Sequence, residues 1–366
     1  MTTIHTARIL AIGVRRFKFS WPAWAKITFA DQRDTRYVRA EDTLSISRFI
    51  QLRRQVLRGE FDLVICGPAP RPVWRSERWF VQNLLSLIPR FTTKISGQGV
   101  TLLPWLLNGS AVPLMGLNLL DSPPLLPPQN DWVLNQCGVY FMRELPANVF
   151  DVFLGAQRGR REFSEIKADP ALVRAAGKLR PISMGVQVET VPEWNPGIPK
   201  ITDIFFRGRL DNSPVRNCGY QDLTALRAEG FHVDVPETRI EPAEFFRRCA
   251  RAWLVWSPEG AGWECYRHYE VPLAGSVPIM NYPTVQRHRP LVDVEHCFLH
   301  GPEPGELARV ARFALEDKDR LHRMTEAARQ HVLAHHTHER LFEHMVSTAF
   351  APASGDAPLH GWPGPK

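Results

Sequence analysis

The chain has 366 residues, of which 44% are hydrophobic, 10% aromatic and 23% charged, and its formal net charge is +7. These values predict a globular protein of about two domains and exclude collagen-like, coiled-coil and wholly disordered chains. No apolar run approaches the roughly 20 residues that a membrane span needs, and we see no signal peptide at the start. The six cysteines form no C-x-x-C pair, which argues against a zinc site or a disulfide framework and predicts reduced thiols in a cytoplasm.

The first half of the chain alternates short apolar runs with helical spacing. Residues 7–14 and 61–66 predict strands, and the apolar residues within 45–58 predict a helix between them. Strand, helix, strand is typical of a parallel α/β layer. Further apolar segments follow at 81–88, 100–107, 113–120 (a strand), 132–135 (the start of a helix) and 139–142 (a strand).

The second half restarts this alternation. A strand predicted over 180–188 is followed by the proline-rich segment 191–200, where we place the domain boundary. Predicted strands then lie at 203–207, 232–235, 253–256 and 277–280, and predicted helices at 219–229, 242–250, 264–274, 304–316 and within 319–350. We therefore predict an N-terminal domain over 1–190, a C-terminal domain over 200–350 and a disordered tail over 351–366. Ligands of such sheets bind beyond the carboxyl ends of the strands.

Basic residues concentrate in two places. Residues 156–180 carry seven Arg and Lys against three Asp and Glu, and Arg15, Arg16, Lys18 and Lys26 lie among the aromatic residues of 17–24. Such clusters suit nucleic acid, an anionic membrane or a phosphorylated ligand, and a solvated surface explains them equally well. Because zinc-finger, basic-zipper and RNP motifs are missing from the sequence, we do not expect nucleic acid. The aromatics of 17–24 and the apolar runs 84–91 and 102–107 either face lipid or belong to the core.

The segment 253–280, WLVWSPEGAGWECYRHYEVPLAGSVPIM, carries the most chemical information. Gly260 and Gly262 predict a loop that a ligand can approach closely, and the free N–H groups of the helix after it suit a phosphate. Arg267 can bind a diphosphate through its forked donors. Glu270 lies about 4.5 Å further along the predicted helix, where its carboxylate can accept hydrogen bonds from ribose hydroxyls. The same spacing places Trp263 and Ala274 on this face, and an ordinary surface Arg–Glu pair is the alternative.

This segment resembles the donor-binding segment of GT-B glycosyltransferases, particularly their exostosin-like bacterial branch. Four further segments agree with that branch: NLLDSPP (118–124), VYFMRELP (139–146), KLRPISMG (178–185) and IFFRGR (204–209). The resemblance implies an α/β GT-B fold, with two Rossmann-like doubly wound domains facing a cleft. It also implies a nucleotide-sugar donor as substrate and no cofactor.

The resemblance assigns the donor to the loop and helix near residue 260, with Glu259 and Tyr266 added to Gly260, Gly262, Arg267 and Glu270. Arg207 and Arg209 are then expected to neutralise the leaving diphosphate. The sequence departs from the pattern in two places. The E-x7-E spacing of retaining GT-B enzymes is missing, since ten residues separate Glu259 from Glu270, which leaves the stereochemistry open. Pro272 interrupts the predicted helix and indicates a kink or a shorter helix.

Acceptor residues are expected in the N-terminal domain. Asp121 ends an apolar strand, and its carboxylate is either the general base that deprotonates the acceptor hydroxyl or the cap of a turn. Glu144 is the weaker candidate for the base, and Arg143 either holds an acidic acceptor or pairs with Glu144. The histidines of 331–338 lack the carboxylate of an H-E-x-x-H motif, and we interpret them as solvated helix residues.

Together these features predict a metal-independent glycosyltransferase of bacterial surface glycan or glycoconjugate synthesis. Its acceptor would be a glycan, a lipid-linked molecule or a small molecule, and the protein would be cytoplasmic, with peripheral contact to the inner membrane face as a further expectation. A nucleotide-sugar epimerase of the same fold and a non-catalytic sugar-nucleotide-binding protein are the alternatives.

Overall fold

The structure is a computed structural model that describes residues 4–14, 17–30, 32–34, 41–68, 94–96, 102–121, 128–154 and 169–351. The chain divides into two compact units. Unit 1 comprises residues 1–181 and 342–366, and unit 2 comprises residues 182–341. Within the described ranges no helix is both long and apolar enough to cross a membrane.

Unit 1 is built on a parallel sheet with the strand order β2-β1-β5-β7-β8-β9. A small antiparallel sheet, β3-β4-β6, accompanies it. The strands are β1 (Arg8–Ile12), β2 (Lys26–Phe29), β3 (Gln32–Asp34), β4 (Glu41–Ser45), β5 (Leu63–Cys66), β6 (Lys94–Ser96), β7 (Leu114–Asn118), β8 (Val139–Met142) and β9 (Leu179–Pro181). Strands β5, β7 and β8 are buried along their whole length, which is why they appear in the sequence as continuous apolar runs.

The described helices before unit 2 are α1 (Ile46–Leu57), α2 (Leu103–Leu107), α3 (Pro128–Gln136) and α4 (Pro170–Ala176). The order in which strands are added to the main sheet reverses between β1 and β5. Strand β2 lies on one side of β1, and the later strands of this sheet, β5, β7, β8 and β9, lie on the other. A Cβ atom on Gly67, after β5, would lie 2.2 Å from the carbonyl oxygen of Gly13, after β1. Glycine at position 67 therefore lets the two strand ends lie side by side.

Unit 2 contains a second parallel sheet with the order β11-β10-β12-β13-β14. Its strands are β10 (Thr202–Phe205), β11 (Val233–Asp234), β12 (Ala252–Trp256), β13 (Val277–Asn281) and β14 (Phe298–His300). Its helices are α5 (Pro214–Ala228), α6 (Pro242–Arg251), α7 (Arg267–Leu273), α8 (Glu306–Leu315) and α9 (Lys318–His335). Apolar core clusters pack beside the strands, one of them centred on Trp256 and Phe298 and another on Phe205 and Met280.

The last described helix, α10 (His338–Phe350), ends in unit 1. Phe342 of this helix is fully buried. Its ring centroid lies 5.8 Å from that of Trp21 and 5.5 Å from that of Trp24. Trp21 and Trp24 of the segment 17–24 thus contact the C-terminal helix.

Three sequence predictions need correction here. The strand predicted over 180–188 ends at Pro181; Gly185 has a φ of +68° that no strand residue adopts. The helix predicted over 219–229 begins at Pro214, because the Ser213 side chain accepts a hydrogen bond from the Val215 N–H and caps it. Strands β2, β3, β4, β6 and β14 were not predicted from the sequence. The apolar run 81–88, the residues Arg15 and Arg16, and the predicted tail from 352 lie outside the described residues.

Candidate functional site

The carboxyl ends of β10 and β12 form the switch point of the unit 2 sheet. Strand β11 lies on one side of β10, and the later strands β12, β13 and β14 lie on the other. Ligands of open α/β sheets bind at such a point because the loops after the two strands diverge there. The loops in question contain Arg207 and Arg209 after β10, and Glu259 to Tyr266 after β12.

Glu259 holds the loop after β12 in place. One carboxylate oxygen accepts a hydrogen bond from Ser213 Oγ at 2.9 Å, and the other accepts one from Asn281 Nδ2 at 3.0 Å. The Glu259 N–H donates to Asn281 Oδ1 at 2.8 Å. A turn then closes with the Gly260 N–H donating to the carbonyl oxygen of Gly262 at 2.8 Å. Glu259 therefore positions the glycines with its side chain, and both of its oxygens are engaged.

Arg216, in the first turn of α5, joins the two loops and was missed by the sequence analysis. Its side chain is only 4% exposed. Nε donates to the carbonyl oxygen of Glu259 at 2.7 Å, and Nη1 donates to that of Arg209 at 2.9 Å. Burial, followed by the positive charge of Arg267, lowers the pKa of Arg216 to about 10, so it stays cationic at neutral pH.

Arg267 brings a second guanidinium to the same place. Its Nη1 donates a short hydrogen bond to the carbonyl oxygen of Arg207, and its guanidinium carbon lies 5.7 Å from the centre of the Phe206 ring. A Cβ atom on Gly208 would lie 2.9 Å from Nη1, so glycine makes room for this contact. The buried Nε atoms of Arg207 and Arg267 have no hydrogen-bond partner in the part of the chain that the structure describes.

The resulting cluster contains the side chains of Arg216 and Arg267, which act on each other electrostatically, and Arg207, whose carbonyl oxygen Arg267 contacts. Throughout the described part of the chain, none of the three has a carboxylate oxygen within 4.0 Å. Arg209, by contrast, turns outward and pairs with Asp211 at 2.7 Å, with 73% of its side chain exposed. Arg216 is buried and Arg207 and Arg267 are half-buried. Since cations withdrawn from water normally have an anionic partner, this arginine cluster is suited to binding a polyanionic group.

Helix α7 is shorter than the sequence predicts. The helix expected over 264–274 spans Arg267–Leu273. Trp263 therefore lies outside the helix, and the face predicted to join it with Arg267 and Glu270 is wrong. Ala274 is the C-cap, and its N–H donates to the carbonyl oxygen of Glu270 at 3.0 Å. Pro272 occupies the last turn, where it has no N–H to donate to the carbonyl oxygen of His268, and the helix ends one residue later. Glu270 lies in the first turn and is half-buried, and Tyr266 immediately precedes the helix.

A buried polar network fixes the loop before α7. Tyr269 Oη donates a short hydrogen bond to Glu264 Oε1, and the Met184 N–H donates to Glu264 Oε2 at 2.7 Å. Burial and the adjacent Glu264 carboxylate raise the pKa of Tyr269 well above its usual value. The Tyr269 ring stacks on that of His336 at 4.6 Å between centroids, and Ser183 Oγ lies 2.9 Å from His336 Nδ1.

The histidines after residue 330 are not all solvated, as the sequence analysis expected. His336 is 1% exposed and His338 is 5% exposed. Burial lowers the pKa of His336 well below its ordinary range and that of His338 to about 4. Among the residues that the structure describes, no group of three or more His, Cys, Asp or Glu side chains could hold a metal ion.

Cys265 lies in the same loop, with Sγ 3.3 Å from Ser257 Oγ. Burial alone would raise the pKa of this thiol, but the electrostatic effects of His268 and Arg267, together with hydrogen bonds from His268 and Ser257, lower it well below its usual value. His268 is itself buried, and its Nε2 lies 3.0 Å from the carbonyl oxygen of Ser257. The loop after β12 is therefore electropositive around this thiol.

The acceptor candidates of unit 1 lie together at the carboxyl ends of β7 and β8. Arg143 is 4% exposed; its Nη2 forms a short ion pair with Asp121, and its Nε donates to Glu144 Oε1 at 3.1 Å. Its Nη1 donates to the carbonyl oxygen of Leu119 at 3.2 Å. The Glu144 side chain is 4% exposed and that of Asp121 is 59% exposed, so Asp121 is the carboxylate of this pair that solvent reaches.

No protein-family model matches the sequence, and a search of curated protein sequences found no relative. Solved structures do match. An α-glucosyltransferase in complex with UDP and a 13-mer DNA has a TM-score of 0.53 and 11% identity, covering 94% of this chain and 99% of its own. Anabaena HepE in complex with UDP and glucose (TM-score 0.47, 11% identity) covers 93% of this chain and 99% of its own. Sucrose-phosphate synthase from Thermosynechococcus elongatus (TM-score 0.45, 14% identity) covers 93% of this chain and 98% of its own.

The likeness to the α-glucosyltransferase, whose TM-score exceeds 0.5, supports the fold and not the activity, because the identity is only 11%. The predicted fold class is confirmed: the chain has the GT-B fold, with two α/β units each built on a parallel sheet.

Proposed function

We propose that this protein is a glycosyltransferase that moves a sugar from a nucleotide-sugar donor to an acceptor hydroxyl. The observation that carries the proposal is the cluster of Arg207, Arg216 and Arg267 at the switch point of the unit 2 sheet, which lacks a carboxylate partner among the described residues. A nucleoside diphosphate supplies the polyanion that such a cluster needs. The α-glucosyltransferase that shares the fold is itself described as a complex with UDP.

Each donor residue then has a distinct task. The backbone at Gly260 and Gly262 approaches the diphosphate, with Glu259 holding the loop from behind. Arg216 and Arg267 bind the phosphate oxygens, joined by Arg207 and, at the exposed rim, Arg209. Stabilising the departing diphosphate with fixed cations lowers the barrier of the transfer without a metal ion. Glu270 accepts hydrogen bonds from the ribose hydroxyls, and Tyr266 adds a contact at the start of α7.

The acceptor is assigned to unit 1. Asp121 is the proposed general base, because its exposed carboxylate can reach an acceptor hydroxyl while Arg143 holds it in place. Glu144 balances the charge of Arg143 from the buried side. The motifs around residues 118–124, 139–146 and 260–270 support the exostosin-like branch, a glycan, lipid-linked or small-molecule acceptor and a cytoplasmic role in bacterial surface glycan or glycoconjugate synthesis.

The test is a thermal-shift and turnover screen with UDP-, GDP-, CMP- and TDP-sugars. A nucleotide present at 100 times its dissociation constant should stabilise the fold by about 2.7 kcal/mol. Transfer to an acceptor supports the proposal. Interconversion of the free nucleotide sugar would identify an epimerase, and binding without turnover would identify a binding protein. If no nucleotide sugar shifts the melting temperature, the donor-site assignment is wrong.

A further inference from the structure

The outward face of α1 in unit 1 combines exposed apolar and cationic side chains. Ile50 is 46% exposed and Leu57 is 50% exposed, whereas Leu52 and Val56 on the inner face are buried. Arg54 is exposed between Ile50 and Leu57, at the spacing that places all three on one face. Helix α1 contains no Asp or Glu. Apolar and cationic side chains on one exposed helix face are the arrangement of a helix that lies at a membrane surface.

Helix α2 adds a tryptophan to this face. Trp105 is 62% exposed, the largest exposed fraction among the large hydrophobic residues that the structure describes. The guanidinium of Arg53 donates to the carbonyl oxygens of Trp105 and, at 3.4 Å, of Asn108, which fixes the end of α2 beside α1. A methyl group of Leu57 lies 3.9 Å from the position that a Cβ atom of Gly109 would take. We call the surface formed by Ile50, Arg53, Arg54, Leu57 and Trp105 the α1–α2 face.

The apolar surface extends beyond Leu57 into a groove. This groove has a volume of about 730 Å³ and is lined largely by apolar residues, among them Val56, Phe61, Val112 and Phe350. Single exposed apolar residues are common on soluble proteins, but a contiguous apolar area of this kind marks an interaction surface.

The charges around the α1–α2 face identify its partner. Arg54 has no carboxylate oxygen within 4.0 Å in the described part of the chain, and Arg58 has only an exposed contact with Glu60 at 3.8 Å. Exposed contacts of this kind neutralise little. The face therefore needs a partner that offers anionic groups over an apolar layer. Anionic phospholipid headgroups above their acyl chains have this composition, and a tryptophan ring is well suited to the boundary between them.

We propose that the α1–α2 face binds the surface of an anionic phospholipid membrane. Trp105, Leu57 and Ile50 enter the headgroup region, while Arg53 and Arg54 contact lipid phosphates from above with their apolar stems lying along the surface. This inference is independent of nucleotide binding by unit 2, so a vesicle assay without nucleotide tests it separately from the proposed function.

The experiment is flotation of the full chain with vesicles of phosphatidylcholine alone or mixed with phosphatidylglycerol, at low and high salt. We expect binding only to the mixed vesicles and a loss of binding at high salt, because screening weakens the contribution of the arginines. Arg54→Glu should weaken binding by at least about fivefold, because that is the contribution of one cation to the affinity for an anionic surface. Trp105→Ala should weaken it by about tenfold, through the lost apolar area.

Helix α4 offers matched controls, since Val173 is 39% exposed and Arg174 is exposed beside it in the same unit. Val173→Ala and Arg174→Glu should leave binding unchanged. A conservative variant tests insertion directly. Brominated phosphatidylglycerol should quench part of the tryptophan fluorescence of the wild type, because the indole of Trp105 lies among the lipids. Trp105→Phe should still bind these vesicles but should show no such quenching.

Three results would overturn the proposal. The first is no flotation with anionic vesicles. The second is flotation that Arg54→Glu and Trp105→Ala leave unchanged while circular dichroism shows both variants folded. The third is a concentration-dependent dimer that Trp105→Ala dissociates, which would make the face an interface between two copies of the chain.

Discussion

Replacing Arg216 tests the arginine cluster more directly than any other single change. Of its five N–H donors, one on Nε and one on Nη1 bind the carbonyl oxygens of Glu259 and Arg209. Three donors remain, and a Cβ atom on Gly260 would lie 3.1 Å from Nη2. The unused donors are thus next to the glycine loop, where a diphosphate is expected.

Hydrogen bonds to charged groups contribute about 1.5–3 kcal/mol each. If two of the free donors bind phosphate oxygens, Arg216→Met should cost at least about 3 kcal/mol, or roughly 100-fold in the dissociation constant of a nucleoside diphosphate. Arg216→Lys keeps the charge but loses the fork, so we expect about a tenfold loss. Gly260→Ala should also weaken binding, because its methyl group crowds Nη2.

Isothermal titration with UDP, GDP, CDP and ADP, and with inorganic diphosphate, measures these effects. Arg247→Lys is the matched control, since Arg247 is an exposed arginine that pairs with Glu244 on the surface of α6. Thermal unfolding establishes that each variant is folded. If folded Arg216→Met binds the same nucleotide as tightly as the wild type, Arg216 has only a structural role and the reasoning about unpaired buried cations fails.

Three further predictions concern other residues. Asp121→Asn should bind donor normally and transfer about 10²–10⁴ times more slowly; steady-state transfer at the wild-type rate would reject the base. Iodoacetamide should alkylate Cys265 at pH 7 faster than Cys218, because a lowered pKa leaves more thiolate; mass spectrometry follows both sites, and Cys265→Ser should remove the fast phase. His338 has a folded pKa of about 4 against roughly 6.5 when unfolded. The neutral His338 therefore contributes to the free energy of unfolding fully above pH 6.5, and this contribution, at most about 3 kcal/mol, is lost as the pH falls towards 4. Denaturant titrations should show that the free energy of unfolding of His338→Gln depends less steeply on pH.

The sequence predicted best the strands that are buried on both sides. Strands β5, β7, β12 and β13 were each placed within about two residues, because a fully buried strand requires an uninterrupted apolar run. Apolar character misled the prediction at 182–188. Val186 packs in the core of unit 2 with 2% exposure and forms only an isolated bridge with Thr337, so burial and not a strand accounts for its apolar side chain.

The site was predicted in part. Local sequence predicts the loop of Gly260 and Gly262 and the position of Arg267. That Arg207, Arg216 and Arg267 lie close together depends on which strands are neighbours in the sheet, and local sequence does not show this. A signal for Arg216 was nevertheless present. Ser213 and Pro214 mark a helix start, and an arginine within the first turn is disfavoured by the helix dipole unless an anion binds nearby. The burial of His336 had no such signal, because it depends on where α9 ends.

The C-terminal helix α10 has a practical consequence for any work with shortened chains. Phe342 fills a space beside Trp21 and Trp24, so a stop codon or a protease cut after α9 would damage the unit that is translated first. We expect a recombinant fragment that stops near residue 190 to expose these indole rings and to aggregate. Adding residues 342–351 back to that fragment through a short flexible tether should restore its solubility.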